Sequence, residues 1–163
     1  MYFDISENNR CILRLSRRID GSKIFRIDGK VSNFKVLEFA CKDGSDEIVI
    51  DTALVVILQK IRTAYTQPVI INSAYRTPDY NKKVGGVANS QHVYGKAADI
   101  RLKSNESRQC LQLLQSAEKY GAMGLGLYGD FCHVDVRDSK SCFLGSGAAN
   151  CYGLIHNNSF LPL

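Results

Sequence analysis

The sequence predicts an α+β fold: a single domain in which a small antiparallel or mixed central sheet is flanked by helices. Three observations carry this. One apolar stripe at three- and four-residue spacing follows Asp51. A second spans about Glu106 to Tyr120. The strand-like runs between and around them are short and broken by glycine, without the regular strand–helix alternation of a doubly wound sheet.

Residues 1–30 read as short strands punctuated by Asp20-Gly21 and Asp28-Gly29, both turn signals, and suit a small hairpin layer. Phe34 to Ala40 is semi-apolar and ends at the turn Cys41 to Gly44. Asp51 suits a helix N-cap because its carboxylate can accept from free first-turn amides. Leu54, Val55, Leu58, Ile61 and Tyr65 then form one stripe, which Gln67-Pro68 ends. Val69 to Ile71 reads as a buried strand, and Pro78 to Val84 as a short helix broken by Gly85-Gly86. Ala88 to His92 is a polar loop. Ala97 to Leu102 alternates, which puts Asp99 and Arg101 on one face and Ala98, Ile100 and Leu102 on the other. Leu111, Leu114 and Ala117 give the later helix its apolar face, and Gly121 falls just beyond its end. Gly124 to Tyr128 and Phe131 to Val136 are strand candidates. No element is set for the last 25 or so residues. The expected divisions are an N-terminal strand or hairpin extension over 1–31, a core over 32–138 and a tail over 139–163 that packs on or extends the core.

A chain of 163 residues can bury a sizeable core. Hydrophobic residues make up 45% and charged residues 23%, which excludes wholesale disorder. The net charge of +5 suits an anionic polymer but does not single one out. No apolar run reaches the ~20 residues that span a bilayer, so membrane insertion is not expected. Walker-type phosphate loops, HExxH, paired-cysteine fingers and a recognition helix for nucleic acid are all missing. The six cysteines allow disulfides, but no spacing demands them. The opening residues lack a basic-then-apolar signal segment, so the expectation is synthesis in a cytoplasm with reduced thiols, and release by a helper or by lysis.

The chain has three histidines, and two of them, His92 and His133, sit in polar, glycine-rich surroundings. Catalytic zinc takes three protein ligands from His, Asp or Glu and keeps one position open. A histidine in a loop and an aspartate seven residues on can converge if the chain turns at Gly95. His133, from a neighbouring strand, would complete the set. The same residues also suit a plainer arrangement, with His92 capping a loop and His133 half-buried in a strand.

Three blocks favour the metal. Ser90-Gln-His-Val-Tyr-Gly-Lys-Ala-Ala-Asp-Ile100 and Phe131-Cys-His-Val-Asp-Val-Arg137 resemble the paired zinc motifs of the D-alanyl-D-alanine carboxypeptidase superfamily, peptidase family M15. Ser73-Ala-Tyr-Arg76, continuing to Asn81-Lys-Lys-Val-Gly-Gly86, resembles its small phage and prophage branch. The resemblance implies one Zn2+ on His92, Asp99 and His133, and the M15/hedgehog-like fold. It implies Arg76 facing the substrate, and Asp130 or Asp135 as general base, with Asp130 favoured by its place three residues before His133 and Asp135 alternatively holding a ligand in place. Ser90, Gln91, Tyr75 and Asn81 become candidates for substrate binding. The implied substrate is bacterial peptidoglycan or its peptides, cut at D-Ala-D-Ala or L-Ala-D-Glu bonds by an endolysin-like enzyme of a phage-infected or lysogenic cell. Two alternatives stand beside it: a metal-holding wall-binding module without turnover, and a structural phage component.

Overall fold

The structure, a computed structural model, describes residues 1–103, 107–148 and 155–160. In chain order the elements are β1 (Tyr2–Ile5), β2 (Ile12–Ser16), α1 (Arg17–Asp20), β3 (Ile24–Ile27), β4 (Lys30–Lys35), a 3-10 turn (Val36–Phe39), β5 (Glu47–Asp51) and α2 (Thr52–Tyr65). They continue with β6 (Val69–Ser73), α3 (Pro78–Lys83), β7 (Ala97–Leu102), α4 (Ser107–Lys119), β8 (Gly124–Leu127), β9 (Cys132–Asp135), β10 (Ser141–Leu144), β11 (Ile155–His156) and β12 (Ser159–Phe160).

The mixed central sheet has the order β10-β8-β9-β7-β6. Its pairings are antiparallel except for β10 with β8, which is parallel. Helices α2 and α4 pack against it and against each other. This is the α+β architecture that the sequence predicts.

Register decides what the sheet presents. Ser73 pairs with Asp99, Asp99 with His133, His133 with Gly126, and Gly126 with Phe143. These residues form one row across all five strands. Because side chains alternate along a strand, the row lies on one face. The next row on that face holds Ala97, Asp135, Gly124 and Ser141. The opposite face carries Ile100, Cys132, Leu127, Val134 and Leu125, which are buried with Leu111, Leu113 and Leu114 of α4. One face is therefore core and the other is chemistry, as the alternation of Ala97 to Leu102 foretells.

Helix α2 begins where expected. Asp51 accepts a hydrogen bond from the Ala53 amide at 3.0 Å. The helix ends at Thr66, whose φ of 52° is left-handed, two residues before Pro68. Leu54, Val55, Leu58 and Ile61 are buried, and each such side chain is worth roughly 1.5–3 kcal/mol. Tyr65 is half-buried, with its hydroxyl 3.1 Å from that of Ser116 on α4.

The first 30 residues do more than form a hairpin layer. Asp28 and Gly29, both at positive φ, turn β3 into β4 as expected. Asp20-Gly21 closes α1 instead of a hairpin, and β2 departs to pair with β5. Phe25 is completely buried in the same apolar cluster as Leu58 and Ile100. Phe160, near the other end, joins that cluster too. The first 30 residues and the tail, through Phe160, thus both contribute side chains to the central core.

Candidate metal centre

His92 is delivered by the run of turns between α3 and β7. Its ring is fixed at the end of β6, where Nδ1 lies 2.6 Å from the Ala74 carbonyl oxygen. Gly95, three residues on, has φ of 71°, and a Cβ there would lie 2.4 Å from the Val49 carbonyl oxygen. Only glycine lets the loop pass this close to β5 on its way to Asp99. Asp99 and His133 then come from paired positions of adjacent strands. Atoms that can each serve as a ligand on His92, Asp99 and His133 all lie within 4.8 Å of one another.

The contacts behind these atoms set their chemistry. A carbonyl oxygen can only accept, so His92 donates from Nδ1 to Ala74 and keeps a lone pair on Nε2. His133 Nε2 lies 2.7 Å from Asp135 Oδ2, so it donates there and keeps its lone pair on Nδ1. These two nitrogens approach Asp99 Oδ1 at 3.2 and 3.1 Å. Three electron-rich atoms thus converge in a buried site, which calls for a cation among them. Two imidazole nitrogens, one carboxylate and an open side suit zinc.

Burial pushes Asp99 up, but the two imidazoles that face it, His133 and His92, outweigh this and hold the group well below the usual carboxylate range. Asp135 behaves alike: burial raises it, and the His133 and Arg137 hydrogen bonds bring it down. Burial lowers His133, but Asp135 and Asp99 overcome this and raise it. Arg76 completes the frame. It donates from Nε to Ser73 at 3.1 Å, from one terminal nitrogen to Asn81 at 3.3 Å and from the other to Asp99 Oδ2 at 3.3 Å. Those bonds leave part of its five-donor fork for a reactant.

The triad opens into a cavity of about 380 Å3. Arg76, Ser90 and Gln91 line it, as expected. So do Tyr128, Arg137 and Phe143, which the sequence reading did not single out for the site. The remaining candidates are not among the lining residues. Tyr75 is buried with Cys41 and Val49, packed by Tyr80. Asn81 is buried, accepts from Arg76 and donates to the Val87 carbonyl at 2.7 Å, so it braces the wall of the cavity. Asp130 is exposed on the bend before β9 and is not among the lining residues. It precedes β9, so the period of two that puts Asp135 on the ligand face does not extend to it. Asp135 is fully buried, and both of its oxygens accept from Arg137 while Oδ2 also meets His133. It orients His133. The thiols of Cys11, Cys41, Cys110, Cys132 and Cys142 are free.

The model of the peptidase M15 family matches residues 31–135, which hold all three ligand positions. The chain belongs to the peptidase M15 family. Over an alignment of 89 residues, this M15 chain is 35% identical to the zinc D-Ala-D-Ala carboxypeptidase of Streptomyces albus G. The alignment covers 51% of this chain and 34% of the relative, so the match spans about a third of the relative's length.

The orienting role of Asp135 is testable. Asp135→Asn is expected to cost about 10- to 100-fold in zinc affinity while leaving the fold intact, as carboxylates behind metal-bound histidines do. Competition with a chromogenic chelator reads the constant. Unchanged affinity would mean that His133 needs no help from Asp135.

Proposed function

We propose that this M15 chain is a zinc-dependent peptidase that hydrolyses amide bonds in the stem peptides of bacterial peptidoglycan. The convergence of three lone-pair donors at the floor of an open cavity carries the reading. When bound, zinc would polarise the scissile carbonyl and activate water. The protein supplies the rest. His92, Asp99 and His133 hold the metal; Arg76 faces the developing oxyanion with its uncommitted donors; Ser90 and Gln91 offer polar contacts to the peptide backbone. The carboxypeptidase relative supports a D-Ala-D-Ala bond. The resemblance of the Ser73 to Gly86 block to phage and prophage proteins supports a lytic use, in which an L-Ala-D-Glu bond is equally suitable.

One observation favours a second reading. Among the described residues, Asp99 is the only carboxylate in the cavity wall, because Asp130 lies outside it and Asp135 is saturated. A site without a free proton acceptor suits a module that holds metal and binds wall peptides without turnover.

Incubating the zinc-loaded protein with purified peptidoglycan, and identifying released peptides by mass spectrometry, separates the two. Fragments that disappear with His92→Ala would establish the peptidase, and their new ends would name the bond. Bound zinc without cleavage, across walls of several chemotypes, would support the binding module.

A further inference from the structure

Strand β10 lies beyond the residues matched by the family model, which end at 135. It nevertheless contributes to the site. Phe143 stands in the same cross-strand row as Asp99 and His133, one strand past Gly126. A Cβ at position 126 would lie 2.4 Å from the Phe143 ring. The glycine therefore leaves a gap in the row, and the phenyl ring fills it. Its centroid comes to 5.5 Å from that of the His133 ring. Tyr128, two residues beyond Gly126, meets Phe143 edge-on at 6.3 Å and is itself stacked on Phe131 at 4.4 Å. Both Tyr128 and Phe143 line the cavity, and neither is fully buried.

The cavity thus has two unlike sides. Arg76, Ser90 and Gln91 are polar, and Tyr128 with Phe143 is aromatic. A peptide crossing the metal would put its polar main chain toward the first and a side chain toward the second. An aromatic wall in contact with a ligand histidine also limits the size of that side chain, because the ring is propped from behind.

We propose that Phe143, backed by Tyr128, is a specificity-determining wall that selects a small apolar side chain, such as the methyl of alanine, beside the scissile bond. The proposal rests on the peptidase reading for its substrate, but the wall itself can be tested without turnover.

Two measurements on the zinc-loaded chain decide it. The first is the Kd, by calorimetry, of acetohydroxamate and of phenylacetohydroxamate, which anchor on the metal and differ only in the group beside it. The second is kcat/KM for two stem peptides with D-Ala or D-Leu next to the cleaved bond. Phe143→Ala is expected to shift the large-to-small ratio by ~10-fold or more toward the larger group in both measurements, the scale on which small changes in an apolar pocket discriminate. Zinc content should stay at the wild-type level. An unchanged ratio overturns the wall. So does loss of zinc from a folded Phe143→Ala protein, which would make the ring a mere support for His133. Should that variant fail to fold, Phe143→Leu keeps an apolar cover over His133 and takes the same ratio test. If wild type cuts neither peptide, cleavage beside D-alanine falls, and the hydroxamate ratio still decides the wall.

Discussion

On the peptidase reading proposed above, Asp99→Ala and His92→Ala are each expected to abolish stoichiometric zinc binding and to reduce peptide hydrolysis on the order of 10³-fold or more. Several kcal/mol of charge stabilisation leave with the metal, and each 1.36 kcal/mol is tenfold in rate. Asp99 matters most because its Oδ1 is the point on which both ring nitrogens converge. Metal analysis after dialysis, with hydrolysis measured in parallel, checks both effects. Zinc should raise the melting temperature of wild type, since a ligand that binds only the folded state stabilises it, and should leave these variants unmoved. Full zinc content in Asp99→Ala would remove the triad as the site. Acid should mimic the substitutions in part. Asp135 and Asp99 raise His133 above an ordinary histidine despite its burial. A proton therefore competes for Nδ1 at a higher pH than the ~6.5 of a free imidazole. Zinc affinity should fall as pH drops through that raised value, because metal must displace the proton.

How much of this could be read from the chain depended on whether the signal was local. The cap at Asp51 and the stripe from Leu54 to Ile61 are local, and they form as predicted. The alternation around Asp99 separates the chemical face from the core because β7 is regular throughout. Position 135 was legible for the same reason, being two residues from His133 on one strand. Asp130 was not, because spacing along the sequence says little about direction once the chain leaves the strand for a bend. The pattern Gly124-Leu-Gly-Leu127 held a usable signal. Both glycines fall on the ligand face and both leucines on the core face. Missing side chains beside a metal row mean that something else occupies the space: Asp135 at one glycine and Phe143 at the other. Which residue would fill the second gap was beyond reach, since β10 is short, lacks a marked alternation and finds β8 only through tertiary pairing. The run Ile48-Val-Ile50 carries no strand boundary of its own, because β5 feeds directly into the α2 cap.

Removal of residues 1–30 is expected to leave a protein without a cooperative thermal transition, although it would retain all three metal ligands. Pairing with β2 covers the backbone of β5, whose Ile48 and Ile50 are completely buried. The deletion would convert β5 into an open edge with apolar side chains, the kind of edge that aggregates. Phe25, also completely buried, meets Phe3 and Phe39 edge-on at 6.0 and 5.7 Å. Phe25→Ala alone should cost about 3–5 kcal/mol, a large share of the ~5–15 kcal/mol that holds a domain folded. That corresponds to a fall in melting temperature of about 10 °C or more. The same segment reaches the metal site. Arg10 forks onto the buried Asp51, at 2.8 Å for its closest contact, and donates at 2.8 Å to the carbonyl of Val136. Val136 separates Asp135 from Arg137, so the N-terminal arm pins the end of the strand that orients His133. Arg10→Ala should therefore weaken zinc affinity as well as stability, whereas Phe25→Ala, on the core side, should lower stability with the zinc constant of the folded protein unchanged. Circular dichroism melts and chelator competition on the two variants separate these effects. A truncated protein that melts cooperatively and binds zinc as tightly as the full chain would show that the arm is dispensable and that residues 31–163 are a folding unit by themselves.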